Sequence, residues 1–147
     1  MATTSRQRAC IVLVEDDELD IEWVRRAISP LEWVDLAVAS DGEQALALLR
    51  GENCSRVRRP YLILVDINMP RMDGHEFLDE LRSDPLLSDS VVFVLTTSTS
   101  DRDRRAAFDR HVAGFLDKQR TGPNGRRLRN LFESYLELSD LPPEHEA

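Results

Sequence analysis

The sequence predicts an α/β protein in which a parallel five-stranded sheet lies between two layers of helices. Five short apolar runs rich in β-branched and aromatic residues recur along the chain, and segments with helical periodicity separate them. Strands that alternate with helices form right-handed βαβ units, which build a doubly wound parallel sheet. The 147 residues are enough for one such three-layer domain with a sizeable core.

The apolar runs predict the five strands. They are ACIVLV (9–14), WVDLAVA (33–39), YLILV (61–65), SVVFVL (90–95) and VAGFL (112–116). The first, third and fourth are almost continuously apolar, whereas a strand with one face in water alternates. We therefore expect helices to cover both faces of these three strands.

The intervening segments predict five helices. Their expected limits are Glu18–Ser29, Gly42–Arg50, Gly74–Arg82, Asp101–Asp109 and Arg126–Leu138. Pro30 and Gly51 follow the first two and are typical helix terminators. We expect the domain to span residues 9–138, with tails at 1–8 and 139–147.

Composition excludes several classes of partner and site. A net charge of −8 provides no excess of cations for binding nucleic acid or an anionic membrane. Cys10 and Cys54 lack metal-type spacing, which favours free thiols in a reducing compartment. Only six apolar residues, 9–14, follow the N-terminal stretch, too few for a signal peptide core or a membrane span. We expect a cytoplasmic location.

Charged, amide or hydroxyl side chains follow four of the five predicted strands. They are Glu15, Asp16 and Asp17 after the first, Asp66 and Asn68 after the third, Thr96, Thr97 and Ser98 after the fourth, and Asp117 and Lys118 after the fifth. Each group alone has an ordinary explanation as a helix cap, a turn or a surface charge. Because ligands of parallel sheets bind at the carboxyl ends of the strands, their coincidence at one edge indicates a functional site.

The residue types at this edge indicate phosphoryl chemistry. Clustered carboxylates need a cation among them, and hard oxygen ligands without histidine or cysteine favour Mg²⁺. A carboxylate beside Mg²⁺ can attack a phosphoryl group, whose oxygens a hydroxyl and an ammonium can then hold. Lys118 is the only lysine among nineteen basic residues, and its compact charge suits a site too narrow for a guanidinium.

Four motifs resemble those of the receiver domain of two-component response regulators. They are LVEDD (13–17), LVDINMPRMDG (64–74), LTTS (95–98) and the late lysine. The resemblance extends over about residues 9 to 138. It implies a flavodoxin-like fold with strand order 2-1-3-4-5 and a bacterial histidine kinase as partner. It also implies signalling through a change of conformation to a downstream protein target or a phosphotransfer protein.

The resemblance also implies a role for each residue at the edge. It assigns Asp66 as phosphoacceptor; Glu15, Asp16, Asp66 and the main-chain carbonyl of Asn68 as Mg²⁺ ligands; Asn68, Thr97 and Lys118 as phosphoryl-binding residues; Thr96 and Phe115 as the switch pair; and Gly74 as the opening of the turn into the third helix. Receivers usually follow the lysine with a proline in a cis peptide, whereas Gln119 follows it here. The sequence is compatible with either a cis or a trans peptide between Lys118 and Gln119.

A finer resemblance concerns the type of receiver. VEDDELDIEWVRRA, the SDP after the third helix and the LPP of the tail look most like the small single-domain regulators that partner phytochrome histidine kinases. Such regulators have no effector domain and often pair through their last strand, last helix and tail. On this basis Leu136 and Leu141 are expected to lie off the core and extend a homodimer face.

Two other functions are weighed against a stand-alone phosphorylated switch. Mg²⁺-dependent phosphohydrolases with an aspartate nucleophile carry a DxDxT pattern after their first strand. Asp66-Ile67-Asn68 follows the third strand and lacks the second carboxylate. A phosphorylation-independent adapter would keep only the fold, and the full set of acids argues against it. We expect a phosphoacceptor rather than an enzyme.

Overall fold

The sheet contains five parallel strands, and it confirms the predicted fold class and strand order. The structure, a computed structural model, describes residues 7–52, 57–69 and 71–145. The strands are β1 (Ala9–Val14), β2 (Val34–Ala39), β3 (Tyr61–Val65), β4 (Val92–Thr96) and β5 (Gly114–Asp117). Their order in the sheet is β2-β1-β3-β4-β5, so the strands that carry the candidate site residues, β1, β3, β4 and β5, are consecutive neighbours.

Five α-helices cover the two faces of the sheet. They are α1 (Glu18–Ile28), α2 (Gly42–Arg50), α3 (Gly74–Ser83), α4 (Asp101–Asp109) and α5 (Arg126–Leu138). Side chains cap the first four helices, because Asp17, Asp41, Asp73 and Ser100 each accept hydrogen bonds from first-turn amides. Each cap sits directly after a strand and loop, and therefore fixes where the loop at the carboxyl edge ends.

The core consists of one apolar cluster on each face of the sheet. Buried residues of α1 and α5, such as Val24 and Phe132, pack on one face. Buried residues of α2 and α3, such as Leu49 and Phe77, pack on the other together with Ala107 of α4. All residues of β3 and β4 are buried, as the continuous apolar runs predicted. The edge strands β2 and β5 are mostly half-buried.

The predicted limits of β4 and β5 are wrong by one or two residues at each end. Ser90 and Val112 are buried, yet they precede the strands, which begin at Val92 and Gly114. An apolar run indicates which residues are buried, whereas the limits of a strand depend on its pairing with neighbouring strands. β4 pairs with β5 from Phe93 opposite Gly114 to Thr96 opposite Asp117. Thr96 and Asp117 are therefore the last paired residues of their strands rather than loop residues.

The interpretation of Leu136 and Leu141 as residues off the core is wrong. Both are half-buried and pack against the apolar cluster beneath α1 and α5. The tail after α5 turns back along the protein, so that the backbone amide of Arg59 donates to Glu144 at 2.8 Å. The exposed leucine at this end is Leu138, with 88% of its surface accessible.

Two other expectations from the sequence concern thiols and membranes. Cys10 is a free, half-buried thiol, and burial raises its pKa to about 11. Cys54 lies outside the described residues. Among the described residues, the structure contains no helix with the length and apolar character needed to cross a bilayer.

Candidate functional site

The ammonium of Lys118 joins carboxylates from three elements at the carboxyl edge of the sheet. Its Nζ donates to Asp20 Oδ2 at 2.8 Å, to Glu15 Oε2 at 2.9 Å and to Asp66 Oδ2 at 3.0 Å. The side chains of Lys118, Glu15 and Asp66 are 10%, 3% and 9% exposed, so these charge-assisted bonds form largely out of water. The single lysine of the chain therefore lies at the centre of the predicted site.

A short 3₁₀ turn fixes the backbone of Lys118 without the usual proline. The turn spans Lys118–Arg120, and the carboxylate of Asp117 caps it by accepting from Gln119 N at 2.8 Å. The hydroxyl of Thr121 donates to the carbonyl of Lys118 at 2.9 Å. Within the described residues, the cis peptide is Arg59–Pro60, so the Lys118–Gln119 peptide is trans. Local caps thus replace proline in placing the lysine.

Glu15 is held in one orientation by backbone and side-chain donors. Its Oε1 accepts from the amides of Asp16 and Asp17, both at 3.1 Å, while its Oε2 faces Lys118. Burial raises the pKa of Glu15 to about 7; the hydrogen bond from Lys118 opposes this shift, and the charge of Asp66 adds to it. A buried carboxylate with a raised pKa, beside a second acid, marks a place where further positive charge is favourable.

The pKa of Lys118 moves in the direction that keeps it charged. Burial lowers it, but hydrogen bonds with Asp20, Glu15 and Asp66 outweigh burial and hold it above its usual value. Lys118 is therefore an ammonium across the physiological range, and the pocket always contains one fixed positive charge.

The turn after β3 positions Asp66 through very close packing. Asp66 is buried, and its Oδ1 accepts from Asn68 N at 3.1 Å. Gly74 begins α3 directly against this turn: a Cβ there would lie 2.5 Å from Ile67 Cα and 2.8 Å from the carbonyl oxygen of Asp66. Only a residue without a side chain allows this approach, which agrees with the role expected for Gly74.

Thr96 begins a chain of hydrogen bonds that reaches α4 and α3. Thr96 is fully buried, and its Oγ1 accepts from Ser98 N at 3.2 Å. The hydroxyl of Ser98 donates to Asp103 Oδ2 at 2.7 Å, and Asp103 Oδ1 lies 3.3 Å from Nε2 of His75. A displacement of the Thr96 hydroxyl would therefore change the contacts of the loop that leads into α4.

The remaining predicted residues lie around this centre. Phe115 is half-buried on β5, with the guanidinium of Arg104 5.8 Å from the ring centroid. Asp16, Asn68 and Thr97 are exposed and follow β1, β3 and β4. The structure thus brings Glu15, Asp66 and Lys118 into direct contact, and leaves Asp16, Asn68 and Thr97 at the open rim.

The oxygen donors of the pocket are of the kind that a hard divalent cation prefers. Glu15 and Asp66 supply buried carboxylate oxygens, and Asp16, the residue after Glu15, has an exposed side chain. Across residues 7–52, 57–69 and 71–145, no three acidic, histidine or cysteine side chains are close enough to coordinate a metal together. In this arrangement Lys118 provides the neutralising charge.

Asp20 is a contact residue that the sequence interpretation missed. It lies in the first turn of α1, and its bond to Lys118 is the shortest of the three. The sequence contains one indication of this contact. Asp20 follows the helix cap Asp17 by three residues, so both side chains lie on the same side of α1, at the end of the helix near the carboxyl edge of the sheet. Several acids share that segment, and spacing alone did not separate Asp20 from Glu18.

Comparisons with known proteins agree with the fold and the motifs. A sequence model of the response regulator receiver domain matches residues 11–128. The response regulator Rcp1 of Synechocystis sp. is 34% identical over 146 residues, covering 97% of this chain and 99% of Rcp1.

Solved structures give the same relationship. The phosphorylated cyanobacterial phytochrome response regulator RcpA has a TM-score of 0.80 at 33% identity, covering 92% of this chain and 99% of RcpA. The Mn²⁺-bound form of Rcp1 has a TM-score of 0.77 at 33% identity, covering 90% of this chain and 98% of that one. The response regulator RPA3017, described in red light signalling of R. palustris, has a TM-score of 0.77 at 28% identity, covering 91% and 98%. This chain belongs to the response regulator receiver family.

Proposed function

We propose that this protein is a phosphorylation switch in which Asp66 accepts a phosphoryl group from a histidine kinase. The observation that carries the proposal is the 3.0 Å contact between Lys118 Nζ and Asp66 Oδ2, in a buried pocket that also contains Glu15. It places a nucleophilic carboxylate beside a fixed cation at the carboxyl edge of the sheet. Membership of the receiver family implies a histidine kinase as partner.

In the proposed reaction, a carboxylate oxygen of Asp66 attacks the phosphorus of the donor. A new P–O bond forms as the bond to the histidine nitrogen of the kinase breaks, and the electron pair leaves with that nitrogen. Lys118 holds an oxygen of the transferred group, exchanging its contact with Asp66 for one with the phosphoryl group. The buried position of Asp66 limits the access of water while the group is transferred.

We propose that Mg²⁺ takes part, held by the side chains of Glu15, Asp16 and Asp66 and by the main-chain carbonyl of Asn68. When bound, it would neutralise the negative charge that the phosphoryl group brings into the pocket. The raised pKa of Glu15 supports this assignment, since burial, with a smaller contribution from the charge of Asp66, disfavours its ionised form and a bound cation would restore it. The relative Rcp1 has been solved in a Mn²⁺-bound form, which supports the binding of a divalent cation by this family.

The proposed switch uses Thr96 and Phe115. In the structure, Thr96 Oγ1 accepts from Ser98 N. If Thr96 turns to donate to a phosphoryl oxygen, this contact is lost and the loop before α4 is released. Phe115 would then move into the space that Thr96 vacates, changing the surface of α4, β5 and α5 by a shift of population. Thr97 and Asn68 would line the mouth of the phosphoryl site.

We propose a phytochrome-linked kinase as the donor, because RcpA is a phytochrome response regulator and RPA3017 is described in red light signalling. Homodimer formation and a cytoplasmic location remain part of the proposal. A dimer face at this end of the protein would include the exposed Leu138 and the parts of Leu136 and Leu141 that remain accessible. The phosphorylated state would be self-limiting because acyl phosphates hydrolyse.

Phosphate uptake tests the proposed function. The protein is incubated with Mg²⁺ and acetyl phosphate, and its intact mass is measured. We expect one added phosphoryl group that is stable in acid and labile in base, and none when EDTA removes the metal. Rapid consumption of acetyl phosphate without accumulation of phosphorylated protein would indicate a phosphohydrolase. No addition and no consumption would indicate an adapter that keeps only the fold.

A further inference from the structure

We infer that Asp20 is a positioning residue that aims the Lys118 ammonium at the phosphoryl site. The inference rests on the proposed function, because the reaction that Asp20 assists is phosphorylation of Asp66. Its basis is geometric: Asp20 Oδ2 lies 2.8 Å from Lys118 Nζ, on an element that carries no other contact to the pocket's lysine in the described residues.

All three donors of the Lys118 ammonium are occupied. A lysine ammonium has three N–H donors, and here each one faces a different carboxylate: Asp20, Glu15 and Asp66. With two donors occupied by Asp20 and Glu15, the third is directed at Asp66. Phosphorylation needs only this third donor, which passes from the Asp66 carboxylate to a phosphoryl oxygen while the other two contacts persist.

The N-terminal cap of α1 holds the backbone of Asp20 in place. Asp17 caps α1 by accepting from Leu19 N at 2.8 Å and from Asp20 N at 3.2 Å. The backbone of Asp20 is therefore held by the cap, and its carboxylate is presented to the pocket from a fixed helix turn. Lysine has a flexible four-carbon stem, so a contact from a fixed helix restricts it more than a contact from a mobile loop would.

The role inferred for Asp20 differs from the general stabilising effect of an acid at the N-terminus of a helix. An acid in the first turn of a helix favours the helix dipole whether or not it contacts a lysine. Glu18 is an acid in the same turn and is exposed, so it shares that general effect and provides a matched control. Asp20 differs from Glu18 by its contact with Lys118 in the pocket.

Kinetics with acetyl phosphate and Mg²⁺ test the role of Asp20. We expect Asp20→Ala to lower the maximal phosphorylation rate about tenfold, because misplacement of a charged group by a fraction of an ångström reduces catalysis strongly. The acetyl phosphate and Mg²⁺ concentrations for half-maximal rate should change little. Asp20→Asn keeps an oxygen acceptor and should recover most of the rate, while Glu18→Ala should match the unmodified protein.

A double-mutant cycle shows whether Asp20 acts through Lys118. In a Lys118→Met background there is no ammonium to aim, so adding Asp20→Ala should slow the residual phosphorylation by less than about twofold. The same tenfold loss in that background would overturn the inference and indicate a structural role. A large rise in the Mg²⁺ requirement of Asp20→Ala would overturn it in favour of a metal ligand.

A measurement without phosphate tests the same contact independently. Because the chain contains one lysine, labelling with [¹⁵N]lysine gives a single side-chain ammonium signal in the NMR spectrum. We expect slow exchange of its protons with water in the unmodified protein and in Glu18→Ala, and much faster exchange in Asp20→Ala. Equal exchange in all three would overturn the inference, whether or not the protein accepted phosphate. Absence of phosphate uptake with the expected exchange pattern would overturn the proposed function, and would leave Asp20 as the residue that positions the Lys118 ammonium in the pocket.

Discussion

Replacing Lys118 with methionine is expected to slow phosphorylation of Asp66 by about two to three orders of magnitude, the cost of removing one preorganised donor from the developing negative charge. Methionine keeps much of the length and apolar stem of lysine, so the change removes mainly the ammonium that lies 3.0 Å from Asp66 Oδ2. The measurement is the rate of mass increase with acetyl phosphate at saturating Mg²⁺.

Lys118→Arg is the informative companion, because it keeps the positive charge. Three carboxylate oxygens surround Nζ at 2.8 to 3.0 Å, and the side chain is 10% exposed. A planar guanidinium is too wide for this arrangement, so we expect Lys118→Arg to be nearly as slow as Lys118→Met. An arginine variant with an almost normal rate would show that charge alone is needed and that the compact ammonium is not.

The second large effect is expected at Gly74. Gly74→Ala should lower the free energy of unfolding by about 3 kcal/mol, at the upper end of the usual cost of forcing extra atoms into a packed interior. The added Cβ would lie 2.5 Å from Ile67 Cα and 2.8 Å from the Asp66 carbonyl oxygen. Both are backbone atoms, so relief requires movement of the turn that carries the phosphoacceptor. Urea unfolding measures the loss.

Gly114→Ala is the matched control for Gly74→Ala. A Cβ at Gly114 would lie 3.1 Å from the edge of the Phe93 ring, which is a side chain and can shift slightly. We expect this variant to lose less than about 1.5 kcal/mol, as for a tolerated core substitution. Equal losses in the two variants would contradict the special role of the Gly74 approach.

Much of the fold followed from the pattern of apolar residues. β1, β3, α2, α4 and α5 have the predicted limits. Capping residues mark some of the helix ends: Gly51 ends α2, and Ser100 precedes α4. The limits of β4 and β5 were less accurate, since burial continues beyond the residues that pair. Leu136 and Leu141 were misplaced because a tail that folds back on the domain creates burial that helical periodicity does not show.

The centre of the site was predictable for a topological reason. Parallel strands bring their carboxyl ends to one edge, so Glu15, Asp66 and Lys118 meet although they are far apart in the chain. The contact of Asp20 depends on the rotation of α1 about its axis and on the rotamer of Lys118. Neither is encoded in a motif, which explains why the sequence did not single out this residue.

The most direct test of the central claim compares the unmodified protein with Asp66→Asn. Both are incubated with Mg²⁺ and acetyl phosphate, and the added mass is localised to a peptide. We expect one base-labile phosphoryl group on Asp66 in the unmodified protein and none in the variant, because an amide is a far weaker nucleophile than a carboxylate. Phosphate uptake by Asp66→Asn at the same level and rate would contradict the account.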